Sequence, residues 1–170
     1  MNPRLTLLAG ALLLAAHPAQ AAEPNLEDLA RPGLVGDLVA AFGEICFANR
    51  NDWNAMKLAM ESSRFGFELE ADNGENDLDY IVFPLMGSLK EWSKTSYACL
   101  IQTQVSQDIT EAGLAAQLRA AQPDLADIAF VSKDNGLSAD FPEGNRPGTV
   151  FVNVADSDPL PIAQLVFIVE

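Results

Sequence analysis

The residues with the most evident chemical capacity lie in the decapeptide EADNGENDLD, residues 70–79. Glu70, Asp72, Asn73, Glu75, Asn76, Asp77 and Asp79 place seven oxygen-bearing side chains in ten positions, and calcium takes about six to eight oxygen ligands. The EF-hand register fails, however. With Gly74 at the glycine position of such a loop, Leu69 and Ala71 fall where the first two ligands are required. The sequence therefore assigns no metal. Were the turn to act as a calcium-dependent module, Asp72, Glu75, Asp77 and Asp79 would be its ligands. The favoured reading is a solvated hairpin tip whose charges keep its strands away from other sheet edges.

The rest of the catalytic inventory is defined by what is missing. The only histidine is His17, inside a leader that the mature chain would lose. Without it there is no Ser-His-Asp triad, no Cys-His pair and no imidazole metal ligand. Ser-x-x-Lys does not occur. Gly-x-Ser-x-Gly fails at its last position in Gly136-Leu137-Ser138-Ala139-Asp140. No phosphate-cradling loop or dinucleotide fingerprint is present, so no cofactor is expected. Carboxylate chemistry survives: two acids flanking a glycosidic bond, one with a raised pKa, make a hydrolase. Twenty-four Asp and Glu residues supply candidates and no pattern selects a pair. The sequence assigns no catalytic residue, and the balance is against an enzyme, with a carboxylate-based hydrolase as the alternative.

Two cysteines remain. Leu38, Val39, Phe42, Ile45 and Cys46 recur at helical spacing and gather on one face of a helix predicted from Asp37, its cap, to Asn49. In TSYACLIQTQV, Tyr97, Cys99, Ile101 and Val105 share one strand face, with Gln102 and Gln104 on the other. Both sulfurs thus sit on apolar faces of different elements, and a Cys46–Cys99 disulfide tying helix to strand is predicted. The two cysteines are then structural.

A second helix is expected over 52–62, capped by Asp52, with Trp53, Met56 and Met60 on one face. Trp53 reads as core. Trp92, between Glu91 and Ser93 with Lys90 and Lys94 nearby, suits core and contact surface equally. Phe65, Phe67 and Leu69 alternate with Gly66, Glu68 and Glu70 as a strand with one wet face. Asp72-Asn73-Gly74 tolerates positive φ and makes a hairpin turn. Residues 78–83 return as the second strand, ended by Pro84, and 88–92 form another. A helix over 108–121 follows, with Asp108 and Glu111 in capping-box spacing and Leu114 and Leu118 inward. Strands are predicted at 128–132, 149–155 and 163–169, with a Gly/Pro-rich loop over 134–148. The last strand is apolar on both faces, which places it centrally. The fold class is α+β, helices packed on one face of a largely antiparallel sheet, in one domain over 22–170.

The compartment follows from the first residues. A short positive start, an apolar run from Leu5 to Ala16 and the small-x-small site Ala19-Gln20-Ala21 describe a cleaved signal peptide over 1–21. The protein is therefore expected to be periplasmic or secreted, where disulfides persist, and to keep no membrane span after cleavage. Cleavage removes Arg4, leaving nine cationic residues against the twenty-four acids, a net charge near −15. Such a chain repels phosphate backbones, so nucleic acid is excluded as a partner. A cationic envelope protein is the favoured partner. Phe42-x-x-x-Cys46 in a first helix, Gly66-Phe67 opening a strand and Cys99 in a later strand resemble small exported proteobacterial proteins of unknown function. That resemblance implies a helix-to-strand disulfide and carries no catalytic residue across.

Overall fold

The computed structural model describes residues 34–74, 76–106, 108–134, 136–141, 147–158 and 160–169. The signal peptide and the lead-in over 22–33 lie outside the described residues, as does Glu75. Among the described residues the fold is α+β and mostly sheet, with three α-helices and eight strands. Helix α1 (Leu34–Ala41) runs directly into a π-helical turn (Phe42–Phe47), and α2 (Trp53–Glu61) follows. Strands β1 (Glu68–Asp72), β2 (Asp77–Val82), β3 (Leu85–Ser93) and β4 (Ser96–Gln104) precede α3 (Glu111–Ala121). A 3₁₀ turn at Pro123–Leu125 leads to β5 (Val131–Lys133), β6 (Gly136–Phe141), β7 (Gly148–Ala155) and β8 (Ile162–Val169). All pairings are antiparallel, in the order β1-β2-β3-β4-β8-β7-β6-β5.

The chain's last strand is central, as its two apolar faces predicted, lying between β4 and β7. Along β4, Tyr97, Cys99, Ile101 and Thr103 are buried and alternate with half-exposed neighbours. Register carries the same face across the sheet: Cys99 opposes Leu89 on β3 and Phe167 on β8, and Phe167 opposes Val150 on β7. Leu38, Val39, Phe42, Ile45 and Cys46 are all buried, as their spacing required. Phe47, outside the predicted stripe, is buried too, its ring 5.2 Å from Phe141 and 6.4 Å from Phe167. Cys46 and Cys99 form the predicted disulfide, with Cα atoms 5.6 Å apart.

Several boundaries differ from expectation, each for a local reason. The first helix starts three residues before Asp37, because Leu34 is buried and extends the apolar face by one turn at i, i+4 and i+7 with Leu38 and Ala41. Asp37 lies in the first turn instead of capping it, where a carboxylate still suits the helix dipole. The Phe65-Phe67-Leu69 strand is corrected: Gly66 takes φ +77° within a turn closed by its N–H on the Ser63 carbonyl, so β1 begins only at Glu68. Leu69, expected inward, is 53% exposed on this edge strand. Helix α3 begins at Glu111, not Asp108. Thr110 caps it by accepting from the Gly113 N–H, and Asp108 instead accepts from the Ser106 hydroxyl. The strand predicted over 128–132 shrinks to β5, while Ile128 and Phe130 pack against the core from irregular backbone. The predicted 134–148 loop contains a strand, β6, whose Ala139 and Phe141 are buried against β7. Residues 142–146 of that loop lie outside the described residues. No helix among the described residues is long and apolar enough to cross a membrane.

Candidate functional site

The β1–β2 hairpin turns at Asp72-Asn73-Gly74 as predicted, with Gly74 at φ +81° and Asn76 at φ +59°. Three of its carboxylates, Asp72, Asp77 and Asp79, have local partners. Asp72 Oδ1 accepts from the Gly74 N–H at 3.0 Å, a short Asx-type bond that shapes the turn. Asp79 Oδ2 accepts from Asn73 Nδ2 at 3.0 Å. Asp77 pairs with Lys90 Nζ at 2.6 Å across the β2–β3 register. Glu75, the fourth candidate calcium ligand, lies outside the described residues. Among the described residues no group of three or more metal-ligating side chains is gathered. Asp72, Asp79 and Asp77 are thus spent on the turn's own backbone, on Asn73 and on Lys90.

The remaining sequence candidates separate in the same way. Cys46 and Cys99 are joined and buried, leaving no free thiol. The described buried polar residues are Thr103 and Ser138, so no described Asp or Glu sits in the apolar setting that a general acid needs. Among the described residues, shifts are resolved at Tyr80, Asp108 and Arg64. Burial first, then the neighbouring Glu61 carboxylate, pushes the Tyr80 hydroxyl up to about 12, and this hydroxyl donates to Glu61 Oε1 at 3.3 Å. The Ser106 hydroxyl holds the Asp108 carboxyl below its usual range. The Glu44 carboxylate, in a bidentate pair, raises the Arg64 guanidinium. Of the three, Tyr80 also lines a hollow of about 330 Å³, beside Glu70, Asp79 and Gln102.

The two tryptophans divide cleanly. Trp53 is half-buried and packs on Tyr97, with ring centroids 6.2 Å apart. Trp92 is 55% exposed near the end of β3, where the pairing with β4 shifts register between Glu91 and Ser93. A bulge of this kind bends the strand and re-aims the side chain it carries. Trp92 stands in a surface cleft of about 620 Å³ whose opposite wall is the β1–β2 turn. Asn73, Asn76, Asp77, Lys90, Glu91 and Lys94 supply its polar lining. The wall is held by two bonds between neighbouring strands: the Glu91 N–H donates to the Asn76 carbonyl at 3.1 Å, and Asn76 Nδ2 donates to Glu91 Oε2 at 2.6 Å.

Sequence reasoning saw the hairpin turn and Trp92 as separate features. The register that opposes Asp77 to Lys90 makes them one site, because it brings Asn73, Gly74, Asn76 and Asp77 alongside residues 90–94. A smaller, more apolar hollow of about 210 Å³ lies at the other end of β2 and β3, lined by Ile81, Phe83, Leu85, Met86, Thr103 and Ile162. It offers Thr103 as a buried hydroxyl, already spent on the Pro84 carbonyl at 2.8 Å. Comparison of the chain with known protein families, with characterised proteins and with solved structures returns no match.

Proposed function

We propose that this chain is an exported, non-enzymatic binding domain, periplasmic or secreted, that engages a cationic envelope protein. Helices covering one face of the sheet form the rigid side of that domain. The strands beyond β3 carry the contact. One observation supports this reading above others: Glu68, Glu70, Asp72, Asp77 and Asp79 crowd one outlying hairpin, all exposed or half-exposed. Lys90 is the described cation paired to them, and Leu69 stands among them more than half exposed. A dense negative patch with an apolar centre speeds encounter with a basic partner and fixes its orientation.

The test starts with intact mass of the protein recovered from its own envelope fraction. A chain beginning at Ala22 and lighter by two protons supports export and the oxidised bridge. The full 170-residue mass in that fraction counts against export by this signal. The tagged protein is then used to capture partners at low salt. The reading predicts a basic protein that elutes as ionic strength rises and is lost with Glu68→Lys, Glu70→Lys and Asp72→Lys combined. A partner retained equally at high salt and by the charge-reversed variant overturns it.

A further inference from the structure

We infer that the cleft between Trp92 and the β1–β2 turn is a binding site for a neutral saccharide. Three features of the cleft point to this ligand class. The first is the aromatic surface. Trp92 is one of two tryptophans in the chain, and it is held outward, 55% exposed, at a bulge. Among the described residues nothing hydrogen-bonds its indole N–H. A sugar ring presents a flat patch of C–H groups to such a ring and keeps its hydroxyls at the edge. The amphipathic indole suits both, with an apolar face and a polar tip.

The second feature is the polar lining. Asn73, Asn76, Asp77, Lys90, Glu91 and Lys94 mix donors with acceptors, which is what a hydroxyl needs, since each hydroxyl both donates and accepts. Asn76 and Lys90 are already fixed by one bond each, to Glu91 and Asp77. Each retains further capacity: the amide oxygen of Asn76 and two more N–H groups of Lys90. These side chains are therefore positioned before a ligand arrives, which lowers the ordering cost of binding.

The third feature is charge. The chain carries twenty-four acids against ten bases and four lysines in all. Two of those lysines, Lys90 and Lys94, line this one cleft, opposite two described carboxylates, Asp77 and Glu91. The described lining is thus electrically balanced on a strongly negative protein. A cleft of about 620 Å³ lies inside the roughly 300–1,000 Å³ range of small-molecule sites. This inference does not depend on the cationic-partner reading, because it concerns a different class of ligand and a test read at Trp92.

The test is nuclear magnetic resonance on the whole mature chain, with three neutral tetrasaccharides as probes: maltotetraose, cellotetraose and N-acetylchitotetraose. The two indole N–H signals are assigned with Trp92→Phe. At least one probe should shift the Trp92 signal and leave that of Trp53 in place, and the shift should persist in 0.5 M salt. Trp92→Ala should weaken that probe about tenfold, which corresponds to about 1.4 kcal/mol. Asn76→Ala is the second variant, expected to weaken binding while Trp92 stays in place. The inference is overturned by three probes that leave the Trp92 signal unmoved, or by binding that both variants leave intact.

Discussion

Removing the Cys46–Cys99 bridge is the perturbation whose size the structure fixes best. The two residues are 53 positions apart, and both are fully buried. In the chain-entropy model a cross-link over that separation restricts the unfolded chain by about 4 kcal/mol. The native state adds to this. Cys46→Ala with Cys99→Ala deletes two sulfur atoms from a close-packed interior, each comparable to a buried methylene at about 0.8 kcal/mol. The double variant should thus lose about 4–6 kcal/mol, against total stabilities of about 5–15 kcal/mol for ordinary domains. Urea unfolding followed by circular dichroism and tryptophan fluorescence would measure the loss. The slope of free energy on urea should also rise, because an unbridged chain exposes more surface when it unfolds. If the variant is too unstable to purify, the oxidised protein can be unfolded with and without reductant, which reads the same cross-link. A loss under about 1 kcal/mol with an unchanged slope would refute the reasoning, since the unfolded chain would then gain nothing by release.

Glycines give a matched pair of expectations. Gly136 has φ +125°, and a Cβ there would stand 2.3 Å from the Val152 carbonyl oxygen, so Gly136→Ala must displace the β6–β7 ladder and cost at least about 1–3 kcal/mol in a thermal melt. Gly36 lies within α1 with nothing near its missing Cβ, so Gly36→Ala should instead stabilise by about 0.5–1 kcal/mol. Asp52 accepts from the Asn54 and Ala55 N–H groups at 2.8 and 3.2 Å, and Asp52→Ala should cost about 0.5–2 kcal/mol by urea denaturation. The Tyr80 hydroxyl, pushed up to about 12, has an unfolded value near 10. Between those values the folded state holds a proton the unfolded state has lost, so its contribution is present below about pH 10 and disappears as pH rises towards 12. Tyr80→Phe should remove that part of the alkaline slope, and identical slopes in both proteins would exclude it.

What could be read from the sequence was what packing alone determines. The stripe from Leu38 to Cys46, the alternation from Tyr97 to Ile101 and the two-faced final strand each carry a full period of apolar residues. Burial followed the first two; the third took its central place in the sheet, with one face buried and the other half-exposed. The Asp52 cap and the Asp72-Asn73-Gly74 turn were legible because a single side chain or a positive φ decides them. The misreadings came where local pattern competes with context. Phe65-Gly66-Phe67 alternates like a strand, but Gly66 accommodates a positive φ and the chain turns there instead. Leu69 looks inward by period and is exposed, because β1 is an edge strand with a register shift next to it. Strand β6 hides in a segment rich in turn residues, and what makes it a strand is pairing with β7, a partner its own composition does not announce. The Trp92 cleft needed the β2–β3 register before its two halves could be seen as one.

The placement of that cleft follows from how the sheet is braced. Its central strands are pinned from both sides. Towards the core, Cys99 is bonded to Cys46 and flanked by Leu89 and Phe167. On the opposite face a row of amides crosses the three middle strands: Asn153 donates to Gln164 at 2.9 Å, and Gln164 to Gln102 at 2.7 Å. A slip of one residue would turn the amides into the core and break both bonds, so the register is specified twice. The outer hairpin has no such core behind its tip. Beyond the β2–β3 ladder, that tip is held by Asp77–Lys90, the Asn76–Glu91 side-chain bond and the Glu91 N–H on the Asn76 carbonyl. All three connect the turn to the β3 segment that carries Trp92. The contacts that hold the tip of the hairpin therefore also shape the cleft, and a substitution that loosens the tip should loosen the cleft with it.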